Sequence, residues 1–331
     1  MLCARYQITE SSQRGEARRA AAAQAQSLGF DEETVGRVAL VVSELAGNLV
    51  RHVPGGGQLL LRSVQRGDFV SIEVVAIDRG PGLVDHQQAL RDGFSTSGTP
   101  GTGLGAVGRL SDQFDLHTAP GVGTVIVSRI WRDAQPADPQ VAVGAVCATM
   151  IGERVPGDAV SVVDHNGRTR VLVADGLGHG VDAEAAAAKA VDVFEHNHLT
   201  TTIGELLDTI HRALRATRGA AVSIAEIDPS GQSLQYVGIG NVSGTIHSRD
   251  GVRSLVSHNG IVGHTIRRTQ EFSYELPAGS VVVLHSDGLK SRWTFDSYAG
   301  LLRRDPTVVA AVLFRDFERG RDDATALVAR T

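Results

Sequence analysis

The chain has 331 residues, 42% of them apolar and 21% charged, with a formal net charge of −5. That length suits two ordinary cores, and the absence of a basic surplus excludes a general nucleic-acid binder. Its two cysteines, Cys3 and Cys147, exclude a disulfide framework and a Cys/His zinc site, which fits a reducing compartment. No apolar run approaches the roughly 20 residues that cross a bilayer, and the opening MLCARYQITE lacks an apolar signal core, so no membrane partner and a cytoplasmic location are expected.

In chain order, Ser12–Leu28 reads as an Ala- and Arg-rich helix. Glu33–Val50 follows as a strongly apolar helix with Val38, Val41, Val42, Leu45 and Leu49 on its inner side. Two strands come next, Gln58–Val64 and Phe69–Ile77, joined by the turn QRGD. A Gly-rich loop leads into a helix at about Leu104–Asp112 and a hairpin of Phe114–Thr118 with Thr124–Trp131. Helices that precede and interrupt an antiparallel run predict an α+β two-layer sandwich.

The stretch RDAQPADPQ at Arg132–Gln140 has two prolines and no apolar periodicity, which marks a linker. The expected organisation is a domain over residues 1–132, a linker over 133–140 and a second domain over 141–331. The second half is strand-rich: Val141–Met150, Ala159–Asp164, Arg170–Ala174, Ala220–Ile227, Leu234–Gly240, Ser243–Ser248, Val281–His285 and Ala326–Ala329. Two helices, Asp182–His196 and Ile203–Thr217, sit together in its middle. That pattern predicts another layered α+β domain with a sheet sandwich inside.

Acidic residues in the second half share a grammar, each standing at or just beyond a strand end and usually beside Gly. They are Asp158 in PGDAV, Asp175 in VLVADGLGHG, Asp287 in VVVLHSDGL and the pair Asp322–Asp323 in GRDDATALV. Hard divalent cations take carboxylate and carbonyl oxygens, and two of them about 3.5–4 Å apart can clamp a phosphoryl group for in-line attack by water. Any single Asp-Gly step is equally well explained by an Asx turn that ends a strand. The set makes a metal site the sharper reading.

The strings GD (157–158), ADGLGHG (174–180), HSDGL (285–289) and DDAT (322–325), in that order, resemble the SpoIIE branch of the protein phosphatase type 2C family. The resemblance covers nearly all of residues 141–331. It implies an αββα sandwich that dephosphorylates phosphoserine or phosphothreonine with two Mn2+ or Mg2+ ions. By position Asp175 bridges the metals, Gly176 lends its carbonyl, Asp287 and Asp322 complete the shell, and Asp158 stands nearby. Asp323 is a weaker member of the set. Larger relatives place a His directly after the Asp-Gly, where it can act as general acid. Here Leu177 holds that place and His179 comes two residues later, so the acid is unassigned. Arg154 is a phosphate clamp only by its closeness to Asp158.

In the first half, Glu44 and Asn48 lie four apart on the apolar helix and so share a face. Asp78-Arg79-Gly80-Pro81-Gly82 follows the strand ending IEVVAI, and Gly101-Thr102-Gly103-Leu104-Gly105 opens a helix where free N–H groups attract phosphate. Each alone has an ordinary explanation, as a buried helix edge, a strand-ending turn or a generic glycine loop. Together, in this order, ELAGNLVRH, DRGPG, DGFSTSGTPGTGLG and RLSDQFDLHT resemble the GHKL ATPase fold and its RsbT-type switch kinases. The resemblance implies that Asn48 holds Mg2+, that Asp78 reads adenine, and that Gly80, Gly82, Gly101, Gly103 and Gly105 shape an ATP pocket. Glu44 would orient or deprotonate the attacking serine hydroxyl of a partner. Arg51 and His52 read first as surface or packing groups.

The two resemblances together imply an opposed kinase and phosphatase acting on a STAS-domain phosphoprotein of a stressosome or anti-sigma-factor circuit. The alternative keeps the phosphatase and makes the first half a nucleotide-gated module that binds partners without turnover.

Overall fold

The computed structural model describes residues 3–83, 103–153, 155–197 and 202–331, and its contacts divide the chain into two units, Cys3–Ala137 and Asp138–Thr331. In the first unit, β1 (Cys3–Ile8), β2 (Gly57–Arg66), β3 (Phe69–Ile77), β4 (Gln113–Ala119) and β5 (Gly123–Trp131) form an antiparallel sheet in the order β1-β2-β3-β5-β4. The helices are α1 (Ser11–Ser27), α2 (Glu32–His52) and α3 (Leu104–Leu110).

The expected apolar stripe of α2 holds: Val38, Val41, Val42, Leu45 and Leu49 are buried in one cluster with Leu59, Leu61, Ile72, Val74 and Ala76 of the sheet. Asp31 caps α2 by accepting from Thr34 N at 2.7 Å, which satisfies one orphan N–H of the first turn. On the strand face away from that cluster, Glu73 is held between Arg62, whose Nε donates at 2.5 Å, and Arg129, whose Nε donates at 3.0 Å. Burial pushes the Glu73 carboxyl up, but the two guanidinium groups outweigh it and bring it down to about 2.

The second unit is the expected αββα sandwich. Its strands are β6 (Ala142–Ala148), β7 (Asp158–His165), β8 (Arg168–Gly176), β9 (Ala220–Asp228), β10 (Ser233–Ile239), β11 (Ser243–Ser248) and β12 (Gly251–Ser254). They continue with β13 (Gly260–Ile261), β14 (Thr265–Ile266), β15 (Phe272–Glu275), β16 (Val281–His285) and β17 (Ala324–Arg330). One sheet runs β15-β10-β9-β8-β7 and the other β12-β11-β16-β17-β6, with β13 and β14 as a separate ribbon. Between the sheets lie Val160, Val171, Val173, Ala225 and Tyr236 from one side and Ala145, Val282, Leu284 and Leu327 from the other.

The helices are α4 (Val181–Asn197), α5 (Ile203–Ala213) and α6 (Pro306–Phe317). Ala187, Ala190 and Phe194 of α4 and Leu206, Leu207 and Ile210 of α5 cover the outer face of β8–β10. Helix α6 lies against β6 and β17, so close that a Cβ added at Gly144 in β6 would stand 2.1 Å from Thr307 N. Helix α6 and strands β1 and β12–β15 go beyond the elements expected from the sequence.

Candidate functional site

Both sheets of the sandwich deliver carboxylates to one end of it. Asp158 opens β7 and is the register partner of Asp175, near the end of β8. Asp287 follows β16 of the other sheet, and Asp322 and Asp323 precede β17. Asp175, Asp287 and Asp322 are partly exposed, whereas Asp158 and Asp323 are buried.

The two buried carboxylates are tied into the frame. Asp158 Oδ2 accepts from Ser286 Oγ at 2.7 Å, and the same Oγ accepts from Thr325 N at 3.0 Å, so one hydroxyl joins the two sheets. Asp323 accepts from Met150 N at 2.7 Å and from Gly157 N at 2.6 Å, which fixes the loop before β7. Glycines make the approach possible: a Cβ at Gly288 would stand 1.9 Å from Asp323 O, and one at Gly176 would stand 2.1 Å from Ala183 O. Ser286 and Gly288 belong to this site although the sequence pattern singled out only their neighbour Asp287.

The electrostatics follow from gathering like charges. Burial first, then Asp158, Asp287, Asp322 and Asp323, push the Asp175 carboxyl well above the ordinary range. Burial, together with Asp323 and Asp322, raises Asp158 against the opposing hydrogen bonds from Ser286 and Thr325. Asp322 is raised chiefly by burial, with Asp287 and Asp323 adding to it. Among the described residues, no three His, Cys, Asp or Glu side chains close around a single point as a ready-made ligand group. The carboxylates stand within electrostatic reach of their neighbours in the group, and their hard oxygens and mutual repulsion suit a divalent cation.

His179 lies at the rim, exposed, with Nδ1 2.7 Å from Glu153 Oε1. Arg154 lies outside the described residues.

In the first unit, Glu44 and Asn48 do share one face of α2, both half-buried. Arg51 lies across the same face. Its Nη2 donates to Asn48 Oδ1 at 3.0 Å and stands 3.9 Å from Glu44 Oε2, over the bare backbone of Gly47. Asp78 follows β3, and its Oδ1 accepts from Gly80 N at 2.8 Å and from Thr124 N at 3.1 Å.

Close approach explains two glycines of this loop region. Gly82, at φ +71°, has Ala119 O 2.3 Å from where a Cβ would be, and Gly123, at φ +118°, has Asp78 O at 2.1 Å. Gly123 carries no motif in the sequence, and only the fold shows that it seats Asp78. Gly103 caps α3 and Gly105 lies in its first turn. Gly101 and most of the loop before it lie outside the described residues. No helix among the described residues is long and apolar enough to cross a membrane.

Residues 165–331, half of the chain, match the family model of stage II sporulation protein E (SpoIIE). The chain belongs to the SpoIIE family. Residues 9–130 match the histidine kinase-like ATPase domain. The serine/threonine-protein kinase RsbT of Bacillus subtilis (strain 168) is 38% identical over 107 residues, which cover 32% of this chain and 80% of RsbT. The phosphoserine phosphatase RsbX of the same organism is 26% identical over 139 residues, covering 42% of this chain and 69% of RsbX.

The crystal structure of RsbX in complex with magnesium superposes with a TM-score of 0.53 at 20% identity, over 60% of this chain and 98% of that one. This likeness shows the sandwich fold. A solved chain described under the bacterial stressosome, a modular system adapted to control secondary messenger signaling, gives a TM-score of 0.53 at 27% identity, over 57% of this chain and 99% of that one. The SpoIIE-family protein thus joins a kinase-like ATPase half to a type 2C phosphatase half in one chain.

Proposed function

We propose that the chain is a two-way switch enzyme that removes phosphate from phosphoserine or phosphothreonine of a STAS-domain partner and, with ATP, puts it back. The observation that carries the first activity is the meeting of Asp175, Asp287 and Asp322 at the strand ends of two sheets, with Asp175 raised by burial and by its neighbours. These three and the Gly176 carbonyl would hold two Mn2+ or Mg2+ ions, with Asp158 beneath them. Such ions polarise a phosphoryl group and lower the pKa of bound water.

The protein's own contribution is to fix the donors. Ser286 holds the Asp158 carboxylate, and Asp323 holds the backbone on either side of the loop that precedes β7. In the net reaction water adds to phosphorus and the bond from phosphorus to the serine oxygen breaks. That oxygen takes a proton, and inorganic phosphate leaves.

The kinase half would use Asn48 for Mg2+, Asp78 for the adenine amine and Gly80, Gly82, Gly101, Gly103 and Gly105 around the nucleotide. Glu44 would accept the proton of the attacking serine hydroxyl. Support comes from the shared face of Glu44 and Asn48, from the fixed Asp78 loop and from the similarity to RsbT. The partner class is supported by similarity to a protein named a phosphoserine phosphatase and by likeness to a chain described under the stressosome.

The test is mass spectrometry of phosphorylated STAS-domain proteins incubated with the chain and Mn2+, and of unphosphorylated ones incubated with Mg2+ and ATP. Phosphate loss that needs Mn2+ and vanishes in Asp175→Asn supports the phosphatase. Incorporation that vanishes in Glu44→Ala while nucleotide binding persists supports the kinase. Nucleotide binding without incorporation by the unaltered chain favours the binding-module alternative.

A further inference from the structure

Glu44, Gly47, Asn48 and Arg51 stand at helical spacing on one face of α2. Gly47 lies in the interior of this 21-residue helix, where glycine lowers helix stability relative to alanine and no turn calls for it. The missing side chain makes room for Arg51. A Cβ at Gly47 would stand 3.0 Å from Arg51 Nη1 and 3.3 Å from both Cζ and Nη2, inside ordinary packing distance. The guanidinium therefore rests against the helix at this glycine.

That seat brings it to the two residues on which the ATP reading depends. Nη2 donates to Asn48 Oδ1 at 3.0 Å and stands 3.9 Å from Glu44 Oε2. The bond to the neutral amide is the short contact, and the carboxylate lies beyond hydrogen-bond distance. A place between an amide oxygen and a carboxylate suits a cation, which is the donor chemistry that Mg2+ asks for. Oδ1 is also the one oxygen that the Asn48 side chain can offer. A Mg2+ ion on it, at a ligand distance of about 2.1 Å, would stand no more than about 5 Å from Nη2. Repulsion at that range favours one occupant over two.

We propose that Arg51 and nucleotide-borne Mg2+ compete for Asn48 Oδ1, so that Arg51 steadies Asn48 beside Glu44 until Mg2+ with ATP displaces it. Arg51 is thus a positioning residue. The affinity for Mg2+-bound nucleotide is lowered by the share of molecules in which Arg51 holds Asn48. Metal-free nucleotide makes no demand on Asn48 and does not feel the competition. The inference rests on the kinase-like reading of this helix face, in which Asn48 carries Mg2+, and adds to it a built-in rival for the metal.

The test is calorimetric titration of the full chain with an ATP analogue whose β,γ bridge is nitrogen, at fixed Mg2+ and again in EDTA. Arg51→Ala is expected to bind the analogue about three- to tenfold tighter in Mg2+, the factor that one net hydrogen bond commands. In EDTA its affinity stays the same or falls. Gly47→Ala keeps the charge but crowds the guanidinium, and should shift Mg2+-dependent binding in the same direction by less. Placed on Asn48→Ala, the Arg51→Ala change should bring no tightening, since the contested oxygen is gone. Unchanged or weaker binding in Mg2+ by Arg51→Ala overturns the proposal. So does a gain of equal size in Mg2+ and EDTA, because Arg51 then obstructs the pocket rather than the metal ligand. A gain that survives in Asn48→Ala overturns it as well. An unaltered chain that binds no nucleotide removes the kinase-like reading itself, and the proposal with it.

Discussion

Ser286 carries more than its size suggests. Its hydroxyl donates to Asp158 and accepts from Thr325 N, so the orientation of a carboxylate on one sheet depends on a strand of the other. Hydrogen bonds that orient the groups around a metal commonly change its affinity by about 10–100-fold. Ser286→Ala is expected to weaken Mn2+ binding by about that factor, read by calorimetric titration, with far-ultraviolet circular dichroism unchanged.

The raised carboxyls have a consequence for stability as well. A carboxyl whose pKa is higher in the folded state binds more protons folded than unfolded, so stability falls as pH rises above the ordinary carboxylate range and on through neutrality. Without divalent cation, the thermal midpoint of the unaltered chain should drop across that window. Asp175→Asn should flatten the drop, by on the order of 2–4 °C for each kcal/mol of repulsion relieved. A midpoint in Asp175→Asn that falls as steeply as in the unaltered chain contradicts this reading.

At the scale of elements, legibility followed pattern. Helix α2 was readable because its apolar positions recur at helical spacing between Asp31 and the basic pair Arg51–His52. Strands β3, β11 and β16 were readable to the residue, as compact runs rich in Val, Ile, Ser and Thr bounded by turn residues. Helix α6 was not, because Pro306 to Arg315 is buried all round and so its run of Val, Ala, Leu and Phe has no polar face to reveal a period. Strand β1 is a short edge strand whose Arg5 and Gln7 conceal its pairing with β2. The carboxylates of the candidate site were legible because each stands at a strand end, but Ser286 and Gly123 act through tertiary contacts that no local motif announces.

The Arg62–Glu73–Arg129 group belongs to this scale too, since it ties β2, β3 and β5 together. Removing the anion leaves two buried guanidinium groups facing each other. Glu73→Gln is therefore expected to cost about 3–5 kcal/mol, measured by urea unfolding of the full chain. A loss below about 1 kcal/mol would mean that water reaches the pair.

For the whole molecule, the proposed pair of opposed activities predicts a cycle. With partner, Mg2+, Mn2+ and ATP together, ATP should be consumed long after the partner has reached a constant level of phosphorylation. Omitting the partner should stop that consumption. Asp175→Asn should leave the partner fully phosphorylated and Glu44→Ala fully unphosphorylated, each ending the cycle, as followed by ADP release and intact-mass spectra. Continued ADP release in either variant would show that ATP is spent elsewhere.

The hydroxyl of Ser286 bridges the two sheets at the spot where their carboxylates crowd. A cation held by these carboxylates would offset their repulsion across the seam, and its removal would restore that repulsion. Scarcity of divalent metal would then shorten the life of the protein as well as silence it: native-state proteolysis should cut the chain faster in chelator, first within the phosphatase half. Metal supply would in this way set how many copies of the switch a cell keeps.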